Sequence, residues 1–235
     1  MFLHSEKYYD AIYGSMGKDY VAEAKIVHGL IQKHKRSKGK ALLDIACGTG
    51  SHAGALSKYY KVDGSDYDKG MLVVARRKYP NLKFEHGNMI DFSLKRKFDI
   101  ITCLFSSIGY VRTKANLRKA ITTMADHLVS GGVLLVEPWF TPSQWNTGRV
   151  YTNHVNDEDL KITRMSFSNK KGNVSSIDFH YLIGSSAGVE HITERHELGL
   201  FTHEEYMTAF QAADLKTFHD PKGLDGRGLY IGIKA

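Results

Sequence analysis

Two carboxylates and two glycines outline a site for a nucleoside. Asp44 stands in an apolar run, and Gly48 and Gly50 follow at once in Asp44-Ile45-Ala46-Cys47-Gly48-Thr49-Gly50. Asp66 closes the next strand-like run about twenty residues on, where a carboxylate can accept both hydroxyls of a ribose. Glycine removes the side chain where backbone has to approach a ligand closely. The stretch Gly48-Thr49-Gly50-Ser51-His52-Ala53 also satisfies the G-x-G-x-x-G/A pattern of nicotinamide dehydrogenases, so more than one nucleoside cofactor fits these spacings. Arg227, between Gly226 and Gly228, and Arg164, in an alternating stretch, have the two-pronged guanidinium that matches phosphate oxygens; a surface ion pair is the competing reading for each. Trp139, in Glu137-Pro138-Trp139 just past a strand's carboxyl end, reads as a platform for a ring or as core.

Alternating elements have to position these groups. The pattern predicts strands at 41–46, 61–66, 83–86, 98–105 and 133–137, with helices at 20–34, 51–59, 68–79 and 114–128, the last ended by Ser130-Gly131-Gly132. Such alternation implies an α/β fold with a mostly parallel sheet covered on both faces. From about 150 to 200 the texture changes to short alternating stretches, LKITRMSFS and VSSIDFHYLIG, read as an inserted antiparallel β region. A helix at 203–213 and strands at 215–219 and 229–234 return the chain to the first unit. The expected division is therefore 1–150 with 200–235 as one α/β domain under an N-terminal helical lid, and 150–200 as an insertion serving the substrate site and dimerisation.

Bulk composition narrows the class. A chain of 235 residues with 42% hydrophobic content suits one packed α/β domain with an elaboration. The net charge of +7 owes much to HKRSKGK at 34–40, read as a solvated helix end rather than a nucleic-acid patch because no aromatic residues interleave it. Cys47 and Cys103 are far apart, so neither a disulfide framework nor a zinc site is expected. A start lacking a basic segment followed by an apolar one, and the absence of an apolar run of roughly 18 residues, point to a cytoplasmic protein with no membrane span.

Residues 44–50 resemble the first motif of the class I S-adenosylmethionine (SAM) methyltransferases, whose fold is Rossmann-like with a seven-stranded sheet. Gly87-Asn88-Met89-Ile90-Asp91-Phe92 falls where that family contacts adenine, and Phe98-Asp99-Ile100-Ile101 opens the fourth strand in the family manner. Tyr9-Asp10, Gly17-Lys18-Asp19-Tyr20, Phe105-Ser106-Ser107-Ile108-Gly109-Tyr110, Glu137-Pro138-Trp139, His180-Tyr181 and Gly226-Arg227-Gly228-Leu229 resemble the dTDP-amino-sugar N,N-dimethyltransferases of the desosamine and mycaminose type. The chain departs from that family at Asn88, where many members carry an acid, at Phe140, where a second Trp is usual, and at Ser176, where a basic residue is expected.

The resemblance implies a homodimer that binds SAM and methylates a nucleotide-linked amino sugar, without metal, nucleic acid or membrane. It implies cofactor contacts at Tyr9, Tyr20, Asp44, Ala46, Gly48, Gly50, Asp66, Asn88, Met89 and Leu104, and substrate contacts at Glu137, Trp139, Arg164, His180 and Arg227. Another small amine or hydroxyl is the alternative acceptor. An ammonium has no lone pair, so a proton must leave before the nitrogen attacks; Tyr110, His180 and His196 are the candidates to receive it or to orient the amine. A tyrosine of ordinary pKa, near ~10, is a poor base at neutral pH, which favours orientation for Tyr110.

Overall fold

The computed structural model describes residues 5–235. The lid expected from residue 1 is therefore described from Ser5 onward, and residues 1–4 lie outside the described residues. Ala41–Ile45 (β1) alternates Leu42 and Leu43 onto opposite faces of a sheet. Leu42 joins the core under the helices Tyr20–His34 and Ser51–Leu56, which carry Val27, Ile31 and Leu56. Leu43 joins the opposite core under Lys114–Asp126 and His203–Gln211, which carry Ile121, Met124 and Phe210. Both faces are thus apolar, as a parallel sheet between helical layers requires.

The helices in chain order are α1 (Tyr9–Ser15), α2 (Tyr20–His34), α3 (Ser51–Leu56), α4 (Lys69–Lys78), α5 (Lys114–Asp126) and α6 (His203–Gln211). The main sheet adds β2 (Lys61–Asp66), β3 (Lys83–His86), β4 (Phe98–Cys103), β5 (Leu128–Val136), β10 (Leu215–Asp220) and β11 (Leu229–Lys234). Its order is β10-β11-β5-β4-β1-β2-β3, with β11 alone antiparallel to β5 and hairpinned to the edge strand β10. The chain runs outward from β1 to β3 and returns to β4 beside β1. That reversal opens a crevice beyond the carboxyl ends of β1 and β4, where a ligand is expected.

One expectation needs correction. Ser130-Gly131-Gly132 does not end a helix; α5 stops at Asp126 and these residues lie inside β5. The pairing with β4 shifts register there, from Phe98 opposite Leu128 to Ile100 opposite Val133. Gly131, at φ +73°, turns its carbonyl to the backbone N–H groups of Arg36 and Ser37. The glycines serve a bulge that ties the strand to the end of α2.

Four strands, β6 (Val150–Asn156), β7 (Leu160–Lys171), β8 (Val174–Ser185) and β9 (Gly188–Gly199), form a separate antiparallel sheet. One face packs Val155, Ile162, Tyr181, Ile183 and Ile192 against Ile12 of α1. The other leaves Val150, Met165, Phe167, Leu182 and Val189 exposed.

Candidate active site

Three alternate positions with left-handed backbone build the turn after β1. Ala46, Gly48 and Gly50 all have positive φ, at 56°, 55° and 78°. A Cβ on Gly48 would meet nothing within 4 Å, so its bare backbone borders open space. A Cβ on Gly50 would fall 2.9 Å from the Phe84 ring and 3.2 Å from Tyr79, so Gly50 is required twice over. Gly50→Ala is accordingly expected to cost ~2 kcal/mol or more, adding left-handed strain to overpacking, and to lower the melting temperature by about 4–8 °C in calorimetry.

Asp66, at the end of β2, braces this turn. Its carboxylate accepts the Gly48 N–H at 2.7 Å and the Asp68 N–H at 2.8 Å. Each oxygen keeps lone pairs for further donors, as a ribose-binding carboxylate needs. Asp44 is buried, accepts the Thr102 hydroxyl at 2.7 Å, and has its pKa pushed up by burial to about 6.

Helices α1 and α2 roof the turn. Asp10 of α1 accepts the hydroxyls of Thr49 at 2.7 Å and Ser51 at 3.1 Å, and pairs with Lys78 at 2.5 Å. The other end of the roof meets the inserted sheet, where Ser5 donates its N–H and hydroxyl to Glu194. Glu23 of α2 joins Lys18 at 2.6 Å to His52 at 2.7 Å; burial pushes this carboxyl up, but its two hydrogen-bonded partners outweigh burial and hold it below the usual range. Among the described residues the buried Tyr20 hydroxyl has no hydrogen-bond partner beyond Tyr9, and burial raises both phenols. Tyr9, Tyr20, Asp44, Ala46, Gly48 and Leu104 line one pocket.

That pocket opens into a cleft of about 1340 Å³. Single-ligand sites span about 300–1,000 Å³, so this one has room for two ligands end to end. Asp66, Asn88 and Met89 line one end; Trp139, Phe140, Trp145 and Arg227 line the other. Asn88 caps its own turn, its side-chain oxygen accepting the Ile90 N–H at 3.1 Å, which leaves its amide N–H₂ uncommitted among these bonds.

Glu137 differs from expectation. It is fully buried and does not line the cleft. One oxygen accepts the Phe105 N–H at 2.6 Å and the other receives Arg227 at 3.1 Å. Phe105 and Ser106, with φ of 52° and 60°, form a strained turn, and the Ser106 hydroxyl donates to the Pro138 carbonyl at 2.6 Å. Glu137 therefore holds the Phe105–Tyr110 turn and Arg227 in one arrangement.

The two arginines part company. Arg227 is paired with both Glu137 and Asp225 and lies over the rings of Trp139 and Phe140. Arg164 is buried between the rings of Tyr13 and Phe179 and donates to Asn153 at 2.7 Å, with its Nε unpartnered among the described residues. Among the described residues no carboxylate lies within ion-pair distance of it, so neither arginine is a simple surface pair. Trp139 packs at 4.7 Å from Phe140 and 5.6 Å from Trp145, its Nε1 donating to Ser175.

His180, expected to meet the substrate, does not line the cleft. It pairs with Met165 and Thr193 on the outer face of the inserted sheet and stacks on exposed His191. Its neighbour Phe179 points inward instead. Tyr110 does line the cleft, and its hydroxyl lies 2.6 Å from His196 Nδ1. The sequence reading passed over Trp145, Asn153 and Phe179. Trp145 was the recoverable one, as the second of two tryptophans, six residues after the first.

Residues 42–132 match the family described as a methyltransferase domain. The chain is 40% identical, over 96% of its own length and 89% of the relative's, to the dTDP-3-amino-3,6-dideoxy-alpha-D-glucopyranose N,N-dimethyltransferase of Streptomyces fradiae. This chain belongs to that N,N-dimethyltransferase family. Among solved structures, Streptomyces venezuelae DesVI superposes with a TM-score of 0.93 at 35% identity, covering 100% of both chains. SAM-bound CalS10, an amino pentose methyltransferase from Micromonospora echinaspora, gives 0.87 at 33% identity over 100% of this chain and 98% of its own. The methyl donor is SAM, the ligand held by CalS10. The residues fit it: an uncovered glycine turn, a carboxylate with spare lone pairs, a buried acid for a cationic amino group and a Tyr20 hydroxyl short of a partner. Among the described residues no three His, Cys, Asp or Glu side chains are grouped to hold a metal, and no helix is long and apolar enough to cross a membrane.

Proposed function

We propose that the chain adds two methyl groups to the amine of a dTDP-linked amino-deoxysugar. The observation that carries this reading is the single long cleft, a nucleoside-binding turn at one end and an arginine-aromatic platform at the other, in a chain related almost end to end to enzymes of that activity. Bound SAM supplies an electrophilic methyl on a sulfonium. Asp66 receives the ribose hydroxyls, Asn88 and Met89 border the base, Asp44 faces the amino group, and Tyr9 and Tyr20 meet the carboxylate. Their rings also favour a nearby sulfonium charge. Trp139, Phe140 and Trp145 carry the sugar or thymine, and Arg164 and Arg227 receive the diphosphate. Tyr110 orients the amine toward the methyl, and the roof of α1 keeps water out, so positioning supplies most of the rate.

Incubation with SAM and a dTDP-3-amino-dideoxyhexose should yield a product heavier by two methyl groups by mass spectrometry. Turnover of an unrelated amine or hydroxyl alone would overturn the sugar assignment.

The donor end is tied to pH through Asp44. With its pKa at about 6, this acid is neutral in more acidic solution, and a cationic amino group beside it favours the ionised form. Binding of SAM must then expel a proton, so affinity should fall by up to about tenfold per pH unit below 6 and level off above it, measured by calorimetry. The ligand-free fold moves the other way. A raised carboxyl contributes stability that is complete below its unfolded pKa and is lost as pH rises through 6.

The apolar outer face of the inserted sheet, with Phe167 and Leu182 at its centre, is the surface through which two copies pair. Phe167→Glu should turn a dimer into a monomer in sedimentation. Two buried free cysteines suit a cytoplasmic setting, and the activity suits the making of an antibiotic sugar.

A further inference from the structure

Tyr110 is the front of a longer chain of groups. Its hydroxyl meets His196 Nδ1 at 2.6 Å, and His196 Nε2 lies 3.3 Å from Glu194 Oε2. His196 and Glu194 are both buried, on the inner face of β9, while the Tyr110 ring is 37% exposed toward the cleft. Ser5 donates twice to Glu194 and the Tyr181 hydroxyl approaches it at 3.4 Å, so this carboxylate is anchored in place. A carboxylate accepts only; His196 therefore carries its proton on Nε2 and presents the Nδ1 lone pair to Tyr110.

We propose that His196 and Glu194 form a proton-exit chain behind Tyr110 that takes the proton from the substrate's ammonium before each methyl transfer. The proposal rests on the amino-sugar reading above. An alkyl amine is mostly an ammonium at neutral pH, and every transfer regenerates a cation, so a dimethylating enzyme meets the same obstacle twice. The ammonium gives its proton to the Tyr110 oxygen while the phenolic proton passes to His196 Nδ1. The resulting imidazolium keeps its Nε2–H on Glu194. The freed nitrogen lone pair then attacks the methyl carbon, an N–C bond forms, the S–C bond breaks and its electron pair stays on sulfur. Opening of the cleft releases the held proton to water.

Each group suits its part. Burial pushes the Tyr110 phenol well above its ordinary range, so Tyr110 works as a conduit and never as a lasting phenolate. Burial pushes the imidazole down against the opposing bond from Glu194, and Arg164 across on β7 lowers it further, which leaves His196 neutral and ready to accept. The edge of Phe179 lies 5.3 Å from the imidazole, and Tyr181 from β8 approaches its partner Glu194.

The test measures single-turnover rates for the first and second transfer in wild type, Tyr110→Phe, His196→Gln and Glu194→Gln across the neutral to alkaline range. Calorimetric binding of S-adenosylhomocysteine reports whether each variant keeps its site. The expected result is a loss of about 100-fold near pH 7 that shrinks steadily toward about pH 9, where the free amine brings its own lone pair. Should His196→Gln fail to fold, Tyr110→Phe, which keeps the ring, carries the comparison. Equal losses at every pH, or none, would overturn the chain while wild type still dimethylates the sugar. A wild type inactive on the sugar would instead remove the functional reading and this inference with it.

Discussion

Asp66→Ala should weaken SAM binding by at least about 100-fold, with little change in the affinity for a nucleotide sugar. The carboxylate is asked for two hydrogen bonds to ribose, each to a charged acceptor and each worth roughly 1.5–3 kcal/mol. It also fixes the Gly48 and Asp68 N–H groups, so the turn loses its brace at the same time. Asp66→Asn keeps one acceptor oxygen and should lose about tenfold. Calorimetric titration of both variants separates the outcomes: an unchanged dissociation constant in Asp66→Ala would mean that the ribose lies elsewhere.

Glu137→Ala should have the largest effect on the fold itself. Removing one partner of a buried ion pair costs about 3–5 kcal/mol because the other charge is stranded. Arg227 keeps Asp225 and some solvent contact, which favours the lower end, yet the buried Phe105 N–H also loses its acceptor. A fall of roughly 6–12 °C in melting temperature follows for a chain of this size. Glu137→Gln still accepts the Phe105 N–H and should recover about half of that. The strained Phe105-Ser106 turn leads directly into Tyr110, so kcat should drop in both variants even where the fold survives. Scanning calorimetry and steady-state kinetics on the pair of variants check this.

The main sheet was legible because Leu42 and Leu43 and the runs that follow β1 leave few alternatives for a period-two pattern between helices. The glycine turn was legible for a related reason, since Gly48 and Gly50 have few uses other than a left-handed turn close to a ligand. The burial of Glu137 was not legible, because its position at a strand end says nothing about which way the chain folds over it. The turn after β4, brought in at residue 105, and Arg227 from the far end of the chain cover its two oxygens. His180 was misplaced although its strand held the answer: Ile177, Phe179, Tyr181 and Ile183 share one parity and claim the inner face, which sends His180 outward. The contact between Tyr110 and His196 had no local signal at all. The two residues are 86 apart, and only the docking of the inserted sheet against the Tyr110 turn joins them.

Helix Tyr9–Ser15 is fastened at both margins, through Asp10 to the hydroxyls of Thr49 and Ser51 and through Ile12 and the preceding Ser5 to the inserted sheet. A door latched to both jambs swings only when both latches let go. Loosening either fastening should therefore raise the dissociation rates of S-adenosylhomocysteine and of a nucleotide sugar together, as read by stopped-flow displacement, rather than one without the other.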